Sequence, residues 1–114
     1  MVQRSLHIEK RRTEGQCVLL LEGPLVMSTI QAFDDAVRAD NTRSLIIDLT
    51  GVPFVDSAGI GALVGAYVSS QNRKRSLALV AVNERVRNSL KVAWVEQLFR
   101  FFDSVSAAED ATAG

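Results

Sequence analysis

The sequence predicts a single α/β domain with a mixed sheet of four to five strands and about four helices. Three observations carry this. Apolar runs of strand length alternate with stretches whose apolar residues recur at helical spacing. Two of those runs, Leu45-Ile46-Ile47 and Leu77-Ala78-Leu79-Val80-Ala81-Val82, are apolar throughout, as strands covered on both faces are. Two strands separated by a polar, Gly-containing stretch open the chain. The strand–helix–strand units imply parallel pairing with right-handed crossovers, and the opening hairpin adds an antiparallel neighbour.

Taken in order, Leu6-His7-Ile8-Glu9 alternates apolar and polar and reads as a first strand with one wet face. Residues 10–16 read as the hairpin loop, and residues 17–22 as the second strand, ended by Gly23-Pro24. Ser28-Thr29-Ile30-Gln31 has the capping-box form, with Ser28 at the helix start and Gln31 three residues on. Ile30, Phe33, Ala36 and Val37 supply an apolar face, and Asp34 is placed to pair with Arg38 one turn later. That helix is expected to end near Asp40-Asn41, with Asn41 suited to a left-handed position.

Strand three covers residues 44–49, and the helix behind it residues 57–71. The basic stretch Asn72-Arg73-Lys74-Arg75 reads as a solvated turn, too small in a neutral domain for a nucleic-acid surface. Residues 77–82 form a fourth, central strand. Asn83 is the expected N-cap of a third helix, with Val86, Leu90 and Ala93 inward and Arg85, Arg87 and Lys91 outward. Trp94, Val95, Leu98 and Phe99 continue the apolar content, and Phe101-Phe102 is a short last strand. Ser106-Ala107-Ala108-Glu109 can cap a final helix, but the chain from Ser104 on is small and polar and is expected to fray.

The totals narrow the function classes. A chain of 114 residues, 47% of them hydrophobic, holds one core and is not disordered. Thirteen Lys and Arg balance thirteen Asp and Glu, so no global field marks a binder of nucleic acid or acidic membrane. Cys17 is the sole cysteine and sits in an apolar run, which excludes an intrachain disulfide and reads as a buried core thiol. The first residues lead into no apolar signal core, and the longest apolar runs fall well short of the roughly 18 residues a spanning helix needs. A cytoplasmic protein without membrane insertion is expected. His7 is the only histidine, and no set of ligands at metal-binding spacing accompanies it.

The stretch from Asp48 to Gly61 concentrates what remains. It ends a buried strand, turns at Gly51 and Pro53, and opens a helix whose apolar stripe is Ile60, Leu63, Val64 and Tyr67. Asp56-Ser57 thus presents a hydroxyl beside a carboxylate where helix N–H groups point outward. Four chemical readings compete. A hydrolase elbow wants Gly-x-Ser-x-Gly, whereas Val55-Asp56-Ser57-Ala58-Gly59 lacks the leading Gly and has only His7 as a possible base. A dinucleotide fingerprint fails because Val64 stands at the third Gly position and no acid follows about 20 residues on. Gly61 and Gly65 are better explained by close packing of the helix on the sheet. Capping by Asp56 or Ser57 is expected in any case, yet it leaves unexplained why Gly follows, at about 1 kcal/mol per helical Gly against Ala. As a phosphoacceptor, Ser57 would gain roughly −1.5 to −2 charge at a helix N-terminus, which the exposed N–H groups and the dipole tolerate.

Asp48-Leu49-Thr50-Gly51-Val52-Pro53-Phe54-Val55-Asp56-Ser57-Ala58-Gly59-Ile60-Gly61 resembles the signature of the STAS family, the anti-sigma factor antagonists of bacteria. The resemblance covers nearly the whole chain, including Asn83-Glu84-Arg85-Val86 and Leu98-Phe99-Arg100-Phe101-Phe102. It implies a non-enzymatic STAS-like module without a cofactor. Its expected partner is an anti-sigma factor serine kinase that phosphorylates Ser57, and a PP2C-type phosphatase would reset it. It also implies a partner-binding face made of Asp56, Ser57, Ala58, Gly59 and Ile60 with Pro24, Leu25 and Val26. Members of the family usually carry Gly-Glu-Leu-Asp after the second strand, whereas Gly23-Pro24-Leu25-Val26 here lacks both acids and is more apolar. The alternative implied role is an accessory or scaffold subunit of a lipid ABC-type transport or signalling assembly.

Overall fold

The computed structural model describes residues 5–112. Strands β1 (His7–Thr13) and β2 (Gln16–Glu22) pair antiparallel about a two-residue turn in which Gly15 has φ 74°. The polar run expected as a loop is therefore mostly strand. Lys10, Arg11 and Arg12 lie along the edge of the sheet, where exposed charge discourages pairing with another chain. β3 (Ser44–Gly51), β4 (Ser76–Val80) and β5 (Arg100–Phe102) follow in parallel, giving the order β1-β2-β3-β4-β5. β3 is the middle strand. β4 is interior but stops at Val80, because Ala81 turns out of the sheet at φ 54°.

Strand alternation explains the continuous apolar runs, since successive side chains point to opposite faces. Leu19, Leu45, Ile47, Leu49 and Leu79 meet the buried faces of α1 (Ile30–Ala39), α2 (Ser57–Asn72) and α3 (Glu84–Val92). Val18, Ile46, Ala78 and Val80 meet Ala108 of α4 (Val105–Thr112) on the other side. The segment expected to fray is thus anchored. Gln16 donates to the Glu109 carbonyl at 3.0 Å, Ser44 to the Thr112 hydroxyl at 2.9 Å, and Ser104 rather than Ser106 accepts the first-turn N–H of Ala107. Residues 113–114 lie outside the described residues.

The start of α1 departs from the capping box. Thr29 is the N-cap and makes no cap bond; its hydroxyl accepts the N–H of Val26 and donates to the Pro24 carbonyl at 2.8 Å, tightening the preceding loop. Gln31 bonds Asp35 instead. The ion pairs among the described residues do not include Asp34 with Arg38; both line a groove of about 330 Å³ between α1 and α2. Asn41 does not take a left-handed position either. The chain leaves α1 through Asp40, extended at φ −91° and fully buried.

Asp40 is buried because Arg75 reaches it. Arg75, expected in a solvated turn, is 6% exposed and binds Asp40 Oδ2 at 3.0 Å and the Asp40 carbonyl at 2.9 Å. A buried carboxylate needs such a partner, and the sequence separation of 35 residues hides the pairing from local reading. Cys17 lies in the same cluster. Burial first, and then the neighbouring Asp40 carboxylate, push its thiol up to about 11, so it stays protonated and unreactive.

α3 begins as expected, with Asn83 accepting the N–H of Val86 at 2.8 Å. Val86 and Leu90 are buried, but Ala93 is exposed, because Trp94 adopts φ 62° and brings Val95 back to the core in its place. Arg87 is not simply outward: its guanidinium stacks over Phe101 and bonds Glu96.

Candidate functional site

β3 ends at Gly51, and residues 52–56 cross the top of the sheet before α2 begins at Ser57. Val52 and Val55 are buried and pin this crossing. Leu25 forms a parallel bridge with Val55, so the loop after β2 lies directly beside the start of α2. Ser57 is the first residue of the helix and is exposed. Among the described residues its hydroxyl has no hydrogen-bond partner.

Asp56 is the N-cap. Its Oδ1 accepts the N–H of Gly59 at 2.8 Å and its Oδ2 accepts the N–H of Met27 at 3.0 Å. Partial burial alone would raise its pKa, but the backbone donors, Gly59 before Met27, outweigh it and hold the carboxyl below its ordinary value. Both carboxylate oxygens are therefore occupied by backbone. Asp56 is an anionic clamp between two loops rather than a base available to Ser57.

The eight residues expected to form one face separate by burial. Ser57 is outward, and Asp56, Ala58, Ile60 and Val26 are partly exposed. Pro24, Leu25 and Gly59 are buried and shape the face from beneath. Gly59 is where close packing requires a glycine, since a Cβ there would lie 2.0 Å from the Leu25 carbonyl oxygen. Gly61 and Gly65, expected to pack on the sheet, face outward, with nothing within 4 Å of a Cβ at either. The helical period places 59, 62, 63 and 66 inward, so 61 and 65 fall on the open side.

Met27 is the residue that sequence reading missed. It is 74% exposed and tied through its N–H to Asp56, next to Ser57. A methionine in a loop carries no periodic signal, and only its pairing with Asp56, 29 residues away, places it at the site. His7 lies exposed on β1, opposite Glu22. Among the described residues no group of three His, Cys, Asp or Glu side chains is arranged to hold a metal ion, and no helix is long and apolar enough to cross a membrane.

The family profile for the STAS domain matches residues 7–108. The chain belongs to the STAS domain family. The anti-sigma F factor antagonist of Paenibacillus polymyxa is 23% identical over 104 residues, covering 88% of this STAS chain and 89% of that protein. In structure, this STAS domain is similar to an anti-sigma factor antagonist from Mycobacterium paratuberculosis (TM-score 0.84, 22% identity, 96% of this chain and 95% of that one). It is also similar to a sulfate transporter family protein from Wolinella succinogenes (TM-score 0.77, 22% identity, 90% and 88%). One fold thus serves in proteins named for different roles, and the site must carry the functional argument.

Proposed function

We propose that this STAS domain is an anti-sigma factor antagonist whose contact with a cognate anti-sigma factor is switched by phosphorylation of Ser57. The observation that carries the reading is the division of labour at the corner. The carboxylate of Asp56 is held by Gly59 and Met27, while the adjacent Ser57 hydroxyl is exposed and unengaged. The relatives named as antagonists support the same direction.

In this reading, unmodified Ser57, Met27, Ala58, Ile60 and Val26 contact an anti-sigma factor that is an ATP-dependent serine kinase, and a sigma factor is released. Ser57 Oγ attacks the γ-phosphorus of ATP held by the kinase. The Oγ–P bond forms, the bond to the β-phosphate oxygen breaks, ADP leaves, and the hydroxyl proton passes to a base on the kinase. The phosphate adds roughly −1.5 to −2 charge. The positive dipole end of α2 favours it, while the Asp56 carboxylate, which already holds the Gly59 N–H, adds local repulsion. The apolar contact around Met27 does not tolerate it, because the charge must be desolvated there. A PP2C-type phosphatase returns the hydroxyl by hydrolysis. The domain itself performs no catalysis and works in the cytoplasm.

The test is intact-protein mass after incubation with a kinase-type anti-sigma factor and ATP. One phosphate on the unaltered protein and none on Ser57→Ala supports the reading; equal phosphorylation of both overturns it. The likeness to a transporter-family protein favours a second role, as an accessory subunit of a transport assembly. Co-purification with a permease or its ATPase, and not with a kinase, would decide for that role.

A further inference from the structure

We propose that two copies of this chain pair through α1 and α2, related by a twofold axis that crosses both helices at right angles, level with Ala36 and Leu63. α2 is sixteen residues long and carries no charged side chain. Its inner side is buried, whereas Gly61 and Gly65 are exposed on its outer side and Val68 is 48% exposed. A helix with one wet face ordinarily places charged or polar groups there. This one offers bare backbone and methyl groups, and a Cβ at Gly61 or Gly65 would meet nothing within 4 Å. Beside it opens the groove of about 330 Å³ between α1 and α2, walled by the buried Phe33 and Val37.

The charges choose the occupant. Asp34 and Arg38 stand one turn apart on the α1 wall of that groove, and among the described residues neither has a hydrogen-bond or ion-pair partner. An ion pair of this spacing within one helix is weak, so an outside partner competes with it readily. Opposite charges a turn apart are complementary to the same segment turned end for end. α1 and α2 follow the parallel strands β2 and β3, so they start at the same end of the sheet and run side by side. Ile30 and Ala58 line one end of the groove, and Arg38 and Ser69 the other. Ala36 lies midway between Asp34 and Arg38, and Leu63 midway between Gly61 and Gly65. Counted from Ile30 and Ala58 at about 1.5 Å of rise per residue, these two midpoints are level to within about 2 Å. A single axis at that height therefore sets Asp34 against Arg38 of the second copy, and Gly61 against Gly65 of the second copy, each twice. With no Cβ between them, the two α2 backbones can approach closely. An isologous contact requires such self-complementarity, and zero net charge adds no overall repulsion.

Sedimentation equilibrium of the full chain over a concentration series should show a monomer–dimer equilibrium. Arg38→Asp turns each facing pair into two acids and Asp34→Arg turns it into two bases, so either variant alone should dimerise about tenfold or more less tightly. Mixed in equal amounts, the two variants should form a heterodimer, because the acids of one copy then face the bases of the other. Gly65→Leu enters open space in the single copy, and should remove the dimer without lowering the melting temperature of dilute protein. A chain that stays monomeric up to about 1 mM overturns the proposal. So does a dimer indifferent to Gly65→Leu or to either charge reversal, or a mixture of the two reversed variants that stays monomeric. A lasting monomer whose complex with a kinase-type anti-sigma factor is lost in Gly65→Leu would give this face to that protein, and overturns the proposal as well.

Discussion

The carboxylate of Asp56 accepts the backbone N–H of Met27 at 3.0 Å while capping α2 through Gly59 at 2.8 Å. One side chain thereby fixes the loop after β2 against the helix that carries Ser57. The exposed thioether of Met27 and the exposed hydroxyl of Ser57 become neighbours on one surface although 29 residues separate Met27 from Asp56. A partner that reads Ser57 meets Met27 as well. Methionine suits that position, because its flexible, polarizable chain adapts to an opposing surface.

If this surface binds the anti-sigma factor, Ser57→Asp should weaken the complex by tenfold or more, about 1.4 kcal/mol, in calorimetry. Met27→Ala should weaken it comparably without moving the melting temperature, since Met27 is largely outside the core. Unchanged affinity in both variants would remove the switch.

Asp56 links the site to pH. Its folded-state pKa is depressed, so the stability it contributes is present above the ordinary carboxylate range. That stability is lost as pH falls through that range to the folded value. Urea denaturation should therefore show stability declining on acidification. Asp56→Asn should flatten part of that decline, since Asn still caps Gly59 but cannot accept a second charge-assisted bond from Met27. Asp56→Ala should cost about 1 to 2 kcal/mol at neutral pH through loss of the cap. An identical acid profile in the Asn variant would contradict this account.

The glycines of α2 should respond with opposite signs. Gly59→Ala drives a Cβ to 2.0 Å from the Leu25 oxygen and should destabilise by about 3 kcal/mol or more, displacing α2 from the β2 loop. Gly65→Ala meets nothing within 4 Å and should stabilise by up to about 1 kcal/mol. Chemical denaturation of the two variants checks both signs at once.

At the opposite end of the sheet, Arg75→Ala leaves the buried Asp40 carboxylate with only Thr42 and the more distant, half-exposed Arg12 at 3.8 Å, and should cost about 3 kcal/mol. Arg73→Ala, which loses one bond to the Asp40 carbonyl from an exposed residue, should cost much less. Comparable losses would mean that the buried pair is not what closes this end.

The sequence by itself determined the element order, the two-faced burial of β3 and β4, the cap at Asn83, a cap at Asp56 or Ser57, and the corner that presents Ser57; the structure chose Asp56. Each of these is encoded within a few residues, by side-chain period or by a capping group beside its helix. The shift of the α1 cap from Ser28 to Thr29 shows where local reading weakens, because the Thr29 hydroxyl is used by the turn at Pro24 instead. Only the tertiary structure decided the rest. It brought Met27 to Asp56 and Arg75 to Asp40, assigned close packing to Gly59 rather than Gly61 and Gly65, and left Trp94 in solvent. These depend on which distant backbone groups and charges the closed sheet brings within bonding distance, and neither period nor propensity carries that information along the chain.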